Sequence, residues 1–104
     1  MASYVKVGND GDVAPGKVKC VRAGDRKVAL FNLNGTLVAY DDYCTHVGGP
    51  VSEGSFENGI ATCPWHGAQF RVEDGEALTP PAGGNLRRYP VRVEAGAIEI
   101  AIDE

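Results

Sequence analysis

Both histidines of this chain and two of its three cysteines fall in two short segments, CTHVGGP at 44–50 and CPWHGAQF at 63–70. Each segment carries one sulfur and one imidazole, spaced Cys-x-His in the first and Cys-x2-His in the second. Sixteen residues separate His46 from Cys63, and Asn58-Gly59 lies among them as a turn signal. That is enough chain to leave one loop, reverse, and return alongside it. Cys44, His46, Cys63 and His66 can therefore converge if the two loops lie side by side.

Four such side chains have two inorganic readings. Zinc accepts both ligand types in a tetrahedral site, which would make the chain a zinc-stabilised interaction module. Zinc fingers, however, group cysteine with cysteine and histidine with histidine. Here each loop carries a mixed pair. Side by side, such loops set two sulfurs at one end and two imidazoles at the other, which suits two metal ions in a row better than one.

The rest of the chain reads as all-β. Helix-length amphipathic periodicity is missing, and short β-prone runs alternate with turn signals, as in a sandwich or barrel. Strands are expected at 4–7, 17–21, 27–33, 36–40, 60–62, 68–72, 91–94 and 98–102. Asn34-Gly35 and Asn58-Gly59 favour tight hairpins because both residue types tolerate positive φ. EAGA at 94–97 closes a third, while 8–16 reads as a loop or a single helical turn and 79–86, with Pro80-Pro81, as a loop.

With 104 residues and no repeat, low-complexity tract or linker, one domain over 1–104 is expected, with the strand rhythm changing over 43–70, where two loops bracket a short hairpin. A net charge of −4 without a basic run argues against nucleic acid or an anionic membrane as partner. MASYVKVGND has no apolar signal region and no segment approaches spanning length, so a cytoplasmic protein is expected. Structural disulfides are rare there, which favours metal or redox roles for clustered Cys and His. Cys20, in an expected strand, reads as a small buried hydrophobe, and Tyr40, Tyr43 and Tyr89 as core or loop-anchoring aromatics.

C-T-H, sixteen residues, then C-P-W-H-G resembles the Rieske [2Fe–2S] signature, in which two His replace two Cys on one iron. The short length, the β-rich pattern and the Pro80-Pro81 loop are similar to the small Rieske ferredoxins of bacterial ring-hydroxylating dioxygenases. The resemblance implies a Rieske-type antiparallel β-sandwich with a small subdomain of two cluster-binding loops. It implies one [2Fe–2S] cluster, with Cys44 and Cys63 on the inner iron and His46 and His66 on the outer. It also implies a one-electron carrier, not an enzyme, active in aromatic hydrocarbon catabolism. Its partners would be a flavin-dependent ferredoxin reductase and a terminal oxygenase, and a monomer is expected of a diffusing carrier. A Rieske-like small subunit of assimilatory nitrite reductase is the alternative.

Departures from the high-potential respiratory members refine the expectation. Those carry a disulfide between the two loops, and the matching positions here are Gly49 and Trp65. Serine and tyrosine hydroxyls that donate towards the cluster there are matched by Ala68 and Phe70. Fewer donors stabilise the reduced form less, so a potential near the low end of the Rieske range, about −150 mV, is expected.

Overall fold

In a computed structural model, residues 2–43, 49–65, 67–78 and 84–103 are described. They form an all-β structure with a single short 3-10 turn. The strands are β1 (Ala2–Asn9), β2 (Val18–Ala23), β3 (Arg26–Leu33), β4 (Thr36–Asp41), β5 (Ser55–Glu57), β6 (Ile60–Thr62), β7 (Gln69–Arg71), β8 (Arg88–Tyr89), β9 (Val91–Glu94) and β10 (Ala97–Asp103). The turn, η1, covers Val51–Glu53.

Three antiparallel sheets result, with strand orders β1-β10-β9, β2-β3-β4-β8 and β5-β6-β7. The second sheet is the middle layer, and β3 shows why. Its run Val28–Ala29–Leu30–Phe31 is buried throughout, where a strand with one wet face would alternate. Val28 and Leu30 join Val21, Ile98, Ile100 and Ile102 in one core beneath the first sheet. Ala29 and Phe31 join Tyr40, Val51, Ala61, Cys63, Phe70 and Val72 in a second core beneath the third. In β10, Ile98, Ile100 and Ile102 share the face that packs into the first of these cores.

The hairpins follow the turn chemistry. Asn34 and Gly35 stand at φ 54° and 97°, Asn58 and Gly59 at 53° and 76°, and Ala95 and Gly96 at 50° and 79°. Positive φ at both central positions is what a two-residue hairpin of matching twist requires.

Two short strands, β5 and β8, are absent from the sequence-based expectation. Each depends on a partner: β5 pairs with β6 through Phe56↔Ala61, and β8 with β4 through Tyr40↔Arg88. Cys20 is a correction. It is exposed, because β2 is the edge of its sheet and it is Val21 and Ala23 that turn into the core. Tyr43 is a second correction, at 58% exposure, whereas Tyr40 and Tyr89 are buried as expected. The Tyr40 hydroxyl donates to the Val72 carbonyl at 2.6 Å, tying the middle sheet to the segment after β7. The Tyr89 hydroxyl is buried without a hydrogen-bond partner among the described residues.

Candidate metal centre

Of the four expected ligands, Cys63 lies within the described residues, and Cys44, His46 and His66 lie outside them, as does the Pro80-Pro81 loop. Cys63 follows β6 directly and is 1% exposed, within the second core. Its backbone N–H donates to the Ala68 carbonyl at 2.8 Å. That bond continues the β6–β7 ladder by one step beyond Thr62↔Gln69, so Cys63 and Ala68 are fixed opposite each other at the end of the hairpin. Gly67, at φ 70°, makes the turn that an L side chain resists there.

The first loop returns to the same place. A Cβ built on Gly49 would lie 2.9 Å from Cys63 Sγ and 2.9 Å from Cδ2 of Trp65. The bare backbone of residue 49 is thus pressed against the sulfur and the indole of the second loop. Gly49 and Trp65 are the positions read as lacking the inter-loop disulfide, and an aromatic ring seated on a glycine occupies that junction.

Burial changes sharply along the second loop. Cys63 is enclosed, whereas Pro64 is exposed and Trp65 is 51% exposed. The sulfur end of the loop faces the core, and the neighbour of His66 faces water. Ala68 and Phe70 are buried beside Cys63 in the same core and bring no hydroxyl to it. A soft thiolate donor in an apolar cradle, with glycine backbone at its side, fits an iron–sulfur group.

The carboxylates of this end differ from one another. Asp42 is 8% exposed and accepts from both the N–H and the Oγ–H of Ser52. Burial raises the Asp41 carboxyl above its ordinary range, and Arg26 and Arg87 pull it part of the way back. Asp74 and Glu76 are paired with Arg71 at 3.1 and 3.3 Å.

A family model described as the Rieske [2Fe-2S] domain matches residues 3–90. This chain is a Rieske protein. Among curated relatives, the 3-phenylpropionate/cinnamic acid dioxygenase ferredoxin subunits of Photorhabdus laumondii and Escherichia coli K12 are each 42% identical to this Rieske chain over 78 residues. That match is 74% of this chain and 74% of theirs. Among solved structures, a chain of the complex of reduced oxygenase and oxidized ferredoxin in carbazole 1,9a-dioxygenase superposes with a TM-score of 0.85. It is 30% identical and is matched over 94% of this chain and 92% of its own. Sphingomonas yanoikuyae B1 ferredoxin gives 0.88 at 25% identity, over 97% and 100%.

The Rieske assignment brings one [2Fe–2S] cluster. When bound, such a cluster takes up and gives back one electron. Its relatives are named as ferredoxin subunits of dioxygenases, and the protein is an electron-transfer component. No helix among the described residues is long and apolar enough to cross a membrane.

Proposed function

We propose that this Rieske ferredoxin carries single electrons from a flavin-dependent NAD(P)H reductase to a terminal ring-hydroxylating oxygenase. Cys44 and Cys63 would hold the inner iron, and His46 and His66 the outer. Residues 1–104 act as one domain with residues 43–70 as its cluster-binding part, monomeric and cytoplasmic.

The observation that carries this reading is the meeting of Gly49 with Cys63 Sγ. Residue 49 lies three positions beyond His46, so the first Cys-His pair is tethered close to the second. The passage from buried Cys63 to exposed Trp65 supports thiolates inside and imidazoles towards the surface. An electron donor or acceptor then approaches the imidazole end, where the exposed side chains of Tyr43 and Trp65 offer contact. Relatives named as dioxygenase ferredoxin subunits favour the carrier over a nitrite reductase subunit.

Not every acid near the loops is available to steer a basic partner. Asp42 is buried against Ser52, and Asp74 and Glu76 face Arg71. Exposed Glu53 carries that role instead, because the adjacent Gly54 packs against Thr62 and Pro64 beside Cys63. Rising ionic strength should therefore slow reduction by the reductase.

Reconstitution tests the proposal. Purified protein mixed with NADH and a dioxygenase reductase should lose its visible colour, and aerobic oxygenase with aromatic substrate should restore it. A coloured protein that neither component turns over would overturn the carrier reading. A colourless one with zinc and no acid-labile sulfide would overturn the cluster.

A further inference from the structure

The segment bearing Cys44 and His46 leaves β4 after Asp41 and re-enters described structure at Gly49, before η1. Its two flanks are joined by one side chain. Asp42 Oδ1 accepts from the Ser52 backbone N–H at 2.7 Å, and Oδ2 accepts from Ser52 Oγ–H at 2.5 Å. The carboxylate is thus engaged through both oxygens by one residue. Each end of this tie is anchored separately. The Asp42 N–H donates to the Lys27 carbonyl at 3.0 Å, fixing residue 42 to β3. Ser52 follows Val51, which is 1% exposed and shares the second core with Cys63. The Cys20 thiol of β2 lies beside the same carboxylate and hydroxyl, so three elements meet there.

We propose that Asp42 is a positioning residue for the cluster: its double bond to Ser52 closes the nine-residue span 43–51 and so fixes where Cys44 and His46 are presented. Nine extended residues reach roughly 30 Å, and a span of that length samples many end separations. The tie reduces these to one, and Val51 holds that one against the core that contains Cys63. Few groups suit the task. A buried carboxylate is held in one orientation by strong donors on both oxygens, and Ser52 supplies two in a fixed geometry.

The inference rests on Cys44 and His46 being ligands, so wild-type holoprotein with iron and sulfide is the entry condition of its test. A wild-type protein without them would fail the functional reading itself. Given that condition, four variants are compared for transfer of iron to a ferrous chelator, for the EPR spectrum of the reduced protein, and for melting. Asp42→Ala removes both bonds and should release iron about tenfold faster than wild type, as expected from losing charge-assisted hydrogen bonds. Its EPR line positions should shift. Ser52→Ala keeps the backbone bond and should fall between, about threefold faster. Asp42→Asn, which preserves shape and one acceptor, should recover most of the wild-type spectrum.

Asn32→Ala is the control. Asn32 is also 8% exposed, and its side chain donates to the Val13 carbonyl and accepts from the Gly35 N–H, in a turn region away from Cys63. It should melt lower yet keep wild-type EPR lines and iron release. The proposal is overturned if Ser52→Ala releases iron at the wild-type rate, even where Asp42→Ala does not accumulate. It is equally overturned if Asn32→Ala alters the spectrum as much as the Asp42 and Ser52 variants do.

Discussion

Replacing Gly49 by alanine adds one methyl group at the junction of the two loops. The new carbon would stand 2.9 Å from Cys63 Sγ, 2.9 Å from Trp65 Cδ2 and 3.0 Å from Trp65 Cγ. Carbon contacts relax at about 3.5–4.0 Å, so roughly 0.6–1.1 Å must be found on each side. Trp65 is half exposed and can swing away. Cys63 cannot, because it is enclosed and its own N–H is bonded across the loop to Ala68. The strain therefore falls on the sulfur. Residue 49 lies outside the positive-φ region, so alanine there brings no backbone penalty and the whole cost is overpacking. Overpacking by a methyl group costs about 1–3 kcal/mol. For a domain of this size that lowers the melting temperature by roughly 5–20 °C. Thermal unfolding followed together in the far ultraviolet and in the visible bands tests it, and the visible CD of folded Gly49→Ala should differ from wild type. Gly67→Ala is the contrast. It meets φ 70° with nothing within 4 Å of the new Cβ, so it should lose about 1–2 kcal/mol to backbone strain and leave the visible CD unchanged. A Gly49→Ala protein melting within about 2 °C of wild type with an identical visible spectrum would refute the contact.

Three further outcomes follow from the same geometry. Phe70→Tyr and Ala68→Ser each place a hydroxyl in the core beside Cys63 and should raise the reduction potential, read by redox titration; an unchanged or lowered value in both would remove the argument from missing donors. Asp41 has its carboxyl raised above the ordinary 3.8 by burial, so its folded form holds the proton more tightly than the unfolded chain. Its contribution to stability is full below the unfolded value and is lost as pH rises through the folded one. Asp41→Asn should therefore have a higher urea midpoint than wild type at neutral pH, with the difference closing below about pH 4, and a constant difference would contradict it. Burial and the Asp42 carboxylate raise the Cys20 thiol, so iodoacetamide should alkylate it more slowly at pH 8 than it alkylates free glutathione, while Lys27 and Ser52 only partly offset this.

The fold was legible where residue chemistry is local. Asn34-Gly35 and Asn58-Gly59 announce hairpins because the positive φ they need is a property of those dipeptides, whereas Ala95 takes φ 50° against its own preference and only Gly96 beside it signals the turn. Long strands such as β3 and β10 show in their apolar runs. β5 and β8 did not, because three and two residues carry no period, and both exist only by pairing with a partner. Cys20 misled for a related reason. Its residue type says buried, but sheet order decides whether a strand lies at an edge, and order is not written in any one strand. At the metal centre the spacing of Cys44, His46, Cys63 and His66 made the family resemblance legible, and the family match bears that resemblance out. The partners of Asp42 and Gly49 were not legible. Nothing in the residues around Asp42 names its donor, Ser52, ten residues on. Gly49 stood out in the sequence as a position where the inter-loop disulfide cannot form, and only the folded chain shows a sulfur and an indole where its side chain would be.

The account stands on a Rieske cluster of low potential, and a potentiometric titration of the purified protein, read by visible absorption and EPR, tests that most directly. It predicts a one-electron chromophore, with iron and acid-labile sulfide in equal amounts, reducing near the low end of the Rieske range at about −150 mV. A midpoint at the positive end of that range, towards roughly +300 mV, would contradict the reading of Gly49, Trp65, Ala68 and Phe70. A colourless protein carrying zinc would contradict the cluster itself.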